Sequence, residues 1–321
     1  MPFQVLVGLI LCNVIWAANP IMSKTLLQVF QPSQVAWLRY SSATISFLLI
    51  VGALVSARTF RHKASDGPKI SSQAAQFFAR PRSLGDLLLI FGVGFSAFCF
   101  APFVGVTGLS KIGAIDNSLL IALEPIVTVG LAVIFLRERL TRTQMFSFTA
   151  ATLGFGMLSG LIFTPPSVWW GHPSILGSLI LLASLFGEAG YSIFGRRLSG
   201  KYPAMQVFGS AMIFGFMTLT AFVLPLGGLP SLDQLAQLDA RGWGAVLWLG
   251  PLGSTLTYLY WLVALERTVV SNAALTIFVQ PIVGSVLGVL ALGEVMTLAK
   301  WVGGGLILAA VGLLTPRQEN S

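Results

Sequence analysis

The sequence predicts an all-α membrane protein: ten transmembrane helices, arranged as two inverted five-helix repeats. Three observations carry that expectation. Of 321 residues, 55% are hydrophobic and 9% charged, with a mean hydropathy of +0.84. Soluble domains carry about 25% charged residues, and no water-facing surface can be built from so few. Second, the chain repeats itself. Shifted by 156 positions, 113–158 falls on 269–314 without a gap. Ile121 then meets Ile277, Pro125-Ile126-Val127 meets Pro281-Ile282-Val283, Glu138 meets Glu294 and Gly156 meets Gly312. Upstream, Gly94 meets Gly250 and Leu109 meets Leu265. An offset that preserves Pro, Glu and Gly across three apolar segments marks a duplicated unit, because chance apolar similarity would scatter the identities. Third, the basic residues are distributed unevenly between the two sides of the predicted membrane, as set out below.

Spans are placed where about 20 apolar residues run together. Span one covers 3–30; it has no basic leader or cleavage site, so it reads as a permanent helix. Span two covers 34–57. The basic stretch 58–83 is the longest loop, disordered or with a short surface helix near 72–79. Spans three to five cover 84–109, 114–136 and 144–163, the last closed by Pro165-Pro166. Spans six to ten cover 174–194, 203–226, 242–265, 271–292 and 298–314, with an external loop holding Asp233 and Asp239 before span eight. The two units are 1–163 and 173–315. Glycine is abundant, 34 residues, and Gly284-xxx-Gly288 and Gly156-xxx-Gly160 have the spacing that lets helix backbones approach in lipid. Cys12 and Cys99 lie inside apolar segments and read as small buried hydrophobes.

Of the nineteen Lys and Arg residues, fourteen fall on the side that holds both termini. Lys24, Lys111, Arg241 and Lys300 fall on the other, and Arg39 lies slightly inside span two. Positive loops stay in the cytoplasm, so both termini are expected there. The net charge of +8 therefore orients the protein and does not point to nucleic acid. Five spans per unit is an odd number, which turns the second copy upside down. Inverted repeats are a mark of secondary transporters, with the substrate site at the repeat interface near the midplane.

Ionisable groups inside the bilayer are costly and mark sites by default. Glu124 lies in span four, thirteen residues before Arg137, roughly 20 Å along a helix. Glu188 lies in span six, eight residues before Arg196, roughly 12 Å. Each has two readings: a buried structural carboxyl, or a group that carries a proton or attracts a substrate amine. Tyr191, one turn from Glu188, is expected to orient it by a hydrogen bond. Asn117, Ile121, Glu124 and Thr128 share one helical face, as do Asn272, Thr276, Gln280 and Gly284 in the copy. Gln280 replaces Glu124 there, so the fold itself does not demand the acid. Span one offers Asn13, Trp16 and Asn19, and Pro20 is expected to kink it and free a carbonyl one turn earlier. Span eight offers Tyr258 and Trp261 on one face with Ser254, able to wall an apolar cavity with polar tips. Trp16 also reads as core or lipid packing, and Lys24 and Arg39 as snorkelling cations. Glu138 and Glu294 read as caps of the helix that follows each, or as partners of loop cations. Pro125 and Pro281 are the expected hinges, with Pro20.

Trp16-Ala17-Ala18-Asn19 with Lys24, the Leu38-Arg39-Tyr40 step and the paired Pro125…Glu138 and Pro281…Glu294 stretches together resemble the EamA family of the drug/metabolite transporter superfamily. The resemblance covers essentially the whole chain. It implies a permease of the cytoplasmic membrane, usually an exporter of amino acids, metabolites or drugs, with a central cavity lined by helices one, three, four, six, eight and nine. The chain departs from the pattern in its long basic loop. Spans one and six also align only at an offset of about 170–172, a departure from the 156 that holds elsewhere. Glu124 and Glu188 match no motif of the family.

The expected partners are a small-molecule substrate and the lipid bilayer, with no nucleic acid. The driving force is a proton gradient or the substrate's own gradient, and the assembly a monomer or homodimer. No cofactor, no metal and no catalytic residue is expected. An intramembrane enzyme is the competing class, but His62 and His172 both fall in loops and no H-E-x-x-H or G-x-S-x-G motif is present. A channel is the other; channels usually gather rings of residues by oligomerisation, which an internal repeat does not need. No phosphate-cradling G-x-x-x-x-G-K-[ST] loop is present for ATP.

Overall fold

The computed structural model describes residues 3–61, 81, 83–127, 130–131, 142–198, 201–226, 228–265 and 276–314. All regular structure among them is helical. We label α1 Phe3–Leu26, α2 Pro32–Arg61, α3 Leu84–Leu109, α4 Ala114–Ile121, α5 Arg142–Ser159, α6 Pro173–Leu198 and α7 Ala204–Leu226. Helix α8 is built from Ala240–Leu247, Trp248–Leu256 and Thr257–Leu265 in unbroken succession. The last two are α9, Val279–Leu292, and α10, Leu298–Leu314. Among the described residues, five segments are long and apolar enough to cross a membrane: Phe3–Leu26, Pro32–Ala53, Leu84–Leu109, Pro173–Tyr191 and Ala204–Leu226. Met145–Ser159, Val279–Leu292 and Leu298–Leu313 are shorter apolar helices.

Local chemistry sets the helix starts. Helices α2 and α6 open on Pro32 and Pro173, where a missing N–H is no loss. Helix α3 is capped by Ser83, whose hydroxyl accepts from the Asp86 amide, and α8 by Asp239, whose carboxylate accepts from the Gly242 amide. These two caps are themselves 156 residues apart, and further backbone features recur at that spacing. In α3 the Ala101 amide bonds the Ser96 carbonyl, five residues back; in α8 the Thr257 amide bonds the Leu252 carbonyl in the same way. Both helices widen into π-helical turns there, a device often found at functional sites. Gly94 and Gly250 occupy matching close approaches. A Cβ on Gly94 would sit 3.0 Å from the Gly215 amide nitrogen of α7, and one on Gly250 would sit 2.9 Å from that of Ala43 on α2.

The fourth and ninth segments also break at matching places. α4 ends at Ile121, Ala122–Leu123 form a tight turn in which the Leu123 amide bonds the Leu120 carbonyl, and helix resumes at Glu124. In the ninth segment, a 3-10 turn Thr276–Phe278 passes into α9. Pro125 and Pro281 follow each break and lack the N–H that would bond the residue four back. Thr128, Glu138 and Asn272 lie outside the described residues, as does nearly all of the 58–83 loop.

Packing places eight helices in a ring. α1 touches α8 and α9, α2 touches α8 and α7, α3 touches α7 and α6, and α4 closes the circle between α6 and α9. α5 and α10 pack on each other beside α4. The largest apolar cluster joins α2, α3, α6 and α7 around Tyr40, Phe47, Phe98 and Phe208. A second joins α4, α5, α6 and α10. Leu49, Leu84, Leu290 and Leu298 are exposed, as lipid-facing residues must be. Of the two small-residue spacings, Gly284 and Gly288 do lie against Ser118 and Ile115 of α4. Gly160 instead has φ +84 just past the end of α5, so it terminates a helix where close packing was expected. The loop before α8 contains one helical turn, Leu232–Ala236, held by a capping box of Ser231 and Gln234.

Candidate functional site

Buried polar side chains of the ring helices converge on its middle. On the α1–α9 side, Asn13 is fully buried and bonded at every polar atom. Its amide donates to the Thr276 hydroxyl at 2.8 Å and to the Leu9 carbonyl at 2.8 Å, and its oxygen accepts from Gln280 Nε2 at 2.7 Å. A buried amide left unpaired would cost about 1–3 kcal/mol, so this triangle pins α1 to the start of α9. The Gly253 carbonyl of α8 accepts from the Trp16 indole N–H at 3.0 Å. Trp16 then stands against two rings of α8, Tyr258 at 5.2 Å and Trp261 at 5.3 Å. Asn13 thus meets Gln280, and Trp16 meets Tyr258 and Trp261. Asn19, a turn beyond Trp16, is also buried, and its amide oxygen has no hydrogen-bond partner among the described residues. Pro20 sits inside α1, which continues through it to Leu26.

On the other side the charges gather. Tyr258 Oη donates to Glu188 Oε2 at 3.4 Å. This corrects the expectation for Tyr191: its hydroxyl is buried without a hydrogen-bond partner among the described residues, and it meets Tyr258 only ring to ring, at 5.8 Å. One turn along a helix was too short a reach; the orienting hydroxyl comes from α8 across the ring. Phe98, on the π-helical turn of α3, fills the angle between Tyr191 at 6.0 Å and Tyr258 at 5.6 Å. Glu124 lies within electrostatic range of Glu188.

The residue that sequence reasoning misplaced is Arg39. It does not snorkel toward the surface. Its Nε donates to the Ser254 hydroxyl of α8 at 2.9 Å, and its guanidinium lies within electrostatic range of Glu188, Tyr258 and Tyr40. Among the described residues, Arg39 and Glu188 form no direct ion pair. Ser254 and Tyr258, one turn apart on α8, thus hold the guanidinium and the carboxyl group respectively. A signal for this was present in the sequence: Ser41, Ser42, Thr44 and Ser46 follow Arg39. Ser46 and Thr255 share a hydrogen bond of 2.8 Å along the α2–α8 seam. A polar seam of that kind belongs to a helix that faces protein. Chemically the site presents one cation, two carboxyl groups and a wall of Trp, Tyr and Phe, a set suited to binding a small amphipathic ion. Among the described residues, no cluster of three or more His, Cys, Asp or Glu has metal-binding geometry.

Comparison with known proteins agrees with a membrane carrier. A family model described as the EamA-like transporter family matches twice, over residues 4–160 and 175–315. An uncharacterized transporter of Archaeoglobus fulgidus is 28% identical over 234 residues, 73% of this chain and 79% of the relative. A probable terminal-alkyne amino-acid exporter of Streptantibioticus cattleyicolor is 29% identical, over 66% of this chain and 71% of its own. A probable amino-acid metabolite efflux pump of Salmonella typhimurium is 25% identical, over 75% and 80%.

Proposed function

The chain belongs to the EamA-like transporter family, and from that premise we propose that it is a secondary exporter of zwitterionic amino acids with apolar or aromatic side chains. The observation that carries the substrate class is the separation of Arg39 and Glu188. Each is held by its own hydroxyl on α8, close enough to feel the other and without direct contact. A substrate carboxylate fits at Arg39 and its ammonium at Glu188, with the Trp16, Tyr258 and Trp261 rings beside the side chain. A guanidinium matches a carboxylate's two oxygens better than an ammonium would. The exporters among the relatives support the direction.

In this reading the molecule is ten spans in two inverted halves, both termini in the cytoplasm, in the cytoplasmic membrane. The paired caps, π-helical turns and pre-proline breaks support the two halves, as does the ring order, which is unchanged when each helix of one half is exchanged for its counterpart. Alternating access follows from such a pair: the halves rock around a fixed central site. Pro20, Pro125 and Pro281 are the hinges, since each frees a carbonyl beside that site. Glu124, Tyr191, Asn19, Asn13 and Gln280 line or brace the site, and protons are a coupling ion available to the two acids.

The test is a thermal-shift series on the purified full chain in detergent. Phenylalanine or leucine is compared with its amide, which lacks the carboxylate, and its N-acetyl form, which lacks the ammonium. Ligand at one hundred times its dissociation constant adds about 2.7 kcal/mol to the folded state. The free amino acid is expected to raise the melting temperature and both derivatives to fail. A derivative that stabilises as well as the parent would overturn the two-charge reading.

A further inference from the structure

At the end of the ring where α4 begins and α9 ends, one carboxylate joins the two halves. Glu294 Oε1 accepts from the Ala114 amide at 2.6 Å and Glu294 Oε2 from the Ile115 amide at 2.9 Å. The sequence reads Glu294 as a cap of the helix that follows it or a partner of loop cations. It caps α4 instead, 180 residues away in the chain and in the other half. Helix α4 has no cap of its own, because Gly113 at the capping position has no side chain. Helix α9 delivers the carboxylate by a tight terminus. Gly293 has φ +66, its amide bonds the Val289 carbonyl at 3.1 Å, and the Glu294 amide bonds the Gly288 carbonyl at 3.2 Å. A second cross-link lies alongside: Lys300 Nζ is 3.3 Å from Asp116 Oδ1. Lys24, at the end of α1, is within electrostatic range of both Asp116 and Glu294.

We infer that Glu294 is the strut that holds the extracytoplasmic end of the protein shut, and that substrate release requires it to leave the α4 terminus. The inference rests on the transporter reading and the topology given above, which put this end outside the cell. Its chemistry is direct. A carboxylate on two backbone N–H groups at a helix start is favoured by charge-assisted hydrogen bonding and by the positive end of the helix dipole. Both contributions are lost together when α4 and α9 part, because the donors are in one half and the acceptor in the other. Parting also separates Lys300 from Asp116. The strut therefore biases the molecule toward the state closed on this side, and a passing substrate must supply the difference. The fit further depends on Gly113. A Cβ added there would lie 2.8 Å from Glu294 Oε2 and 3.2 Å from its carboxyl carbon, close enough to displace the carboxylate. Gly113 has φ −69 and ψ 161, which any residue adopts, so alanine there disturbs the strut and not the backbone.

The test uses the full chain in sealed cells, with Cys12 and Cys99 replaced by alanine and one reporter cysteine added. Ser118→Cys is the buried reporter, one turn below the strut, and Lys111→Cys the exposed one in the preceding turn. An impermeant maleimide is applied outside. Lys111→Cys is expected to react quickly in every background. Ser118→Cys is expected to react slowly alone, at least tenfold faster with Glu294→Ala or Gly113→Ala, and at an intermediate rate with Glu294→Gln, which keeps one acceptor oxygen. Gly113→Ala leaves every charge in place, so it keeps the test valid where Glu294→Ala fails to reach the membrane. Unchanged Ser118→Cys labelling in a folded, inserted Gly113→Ala protein overturns the strut. Lys111→Cys that reacts only in inverted vesicles overturns the inference through its topology, and that failure is visible separately from the strut's.

Discussion

The two helices that carry Pro125 and Pro281 are alike in backbone and opposite in chemistry. Both break just before the proline, and both put a long polar side chain at the residue preceding it, Glu124 in one and Gln280 in the other. Gln280 is buried and spent: its amide donates to Asn13, which donates in turn to Thr276. Glu124 is an acid beside a second acid, Glu188, with Arg39 near that pair. The break before the proline is common to both helices, while the side chain there differs: Gln280 braces α1 against α9, and Glu124 lies near Glu188. A neutral amide suits a brace, since it both donates and accepts and costs nothing in buried charge.

The largest effect that would sharpen this contrast is at the charged side. Glu188→Gln keeps the shape and removes the charge that the substrate ammonium needs. Truncating one partner of a buried charge pair costs about 2–5 kcal/mol, so substrate exchange in liposomes is expected to fall by at least thirtyfold. Two assays separate the roles of this acid. Failure of both exchange and pH-driven net flux assigns Glu188 to the ammonium. Intact exchange with loss of pH-driven flux assigns it to the proton and removes the amine from the model. Wild-type rates in both assays would make the acid structural.

Next in size is the reciprocal swap. Gln280→Glu takes away the donor to Asn13 Oδ1 and sets an acid where a brace was. Leaving that buried oxygen unpaired costs about 1–3 kcal/mol, so the melting temperature is expected to drop while the charged site is untouched. Glu124→Gln is expected to act chiefly on transport. If the two variants behave alike in both measurements, the division between brace and site is wrong.

Much of this was legible in the sequence, for reasons that differ by feature. The five long apolar helices follow from composition, and the matching breaks of the fourth and ninth segments lie where Pro125 and Pro281 recur in the sequence. Paired contacts across the ring were less legible. Tyr258 approaches Glu188 from a helix 70 residues away, whereas Tyr191 was favoured only because it is near in sequence. Arg39 was misjudged by depth: seven residues inside a helix is about 10 Å, within reach of the surface for so long a side chain. Only the neighbouring serines and threonine say that its helix turns that face inward. The recipient of the Glu294 cap was hidden for the same reason, since sequence gives a capping residue's neighbours and not the helix end that tertiary packing brings to it.

The smallest predicted effect tests whether the brace and the site are separable within one helix. Asn13 and Trp16 lie three residues apart on α1, one bonded to α9 and the other to α8. Trp16→Phe removes the indole N–H bonded to the Gly253 carbonyl at 3.0 Å and keeps an aromatic ring between Tyr258 and Trp261. That carbonyl lies in the π-helical part of α8, between the hydroxyls that hold Arg39 and Glu188 and the start of that stretch. Loss of one neutral hydrogen bond is worth about 0.5–1.5 kcal/mol. Because the bond aligns α8 and not the brace, the cost is expected in substrate affinity, a weakening of less than about tenfold, with little change in the melting temperature of the unliganded protein. Asn13→Ala should show the opposite balance, losing stability through the Gln280 amide left without its acceptor, before it loses affinity. Equal losses of stability in the two variants would mean that α1 acts as one rigid unit, and that the site and its brace cannot be told apart along it.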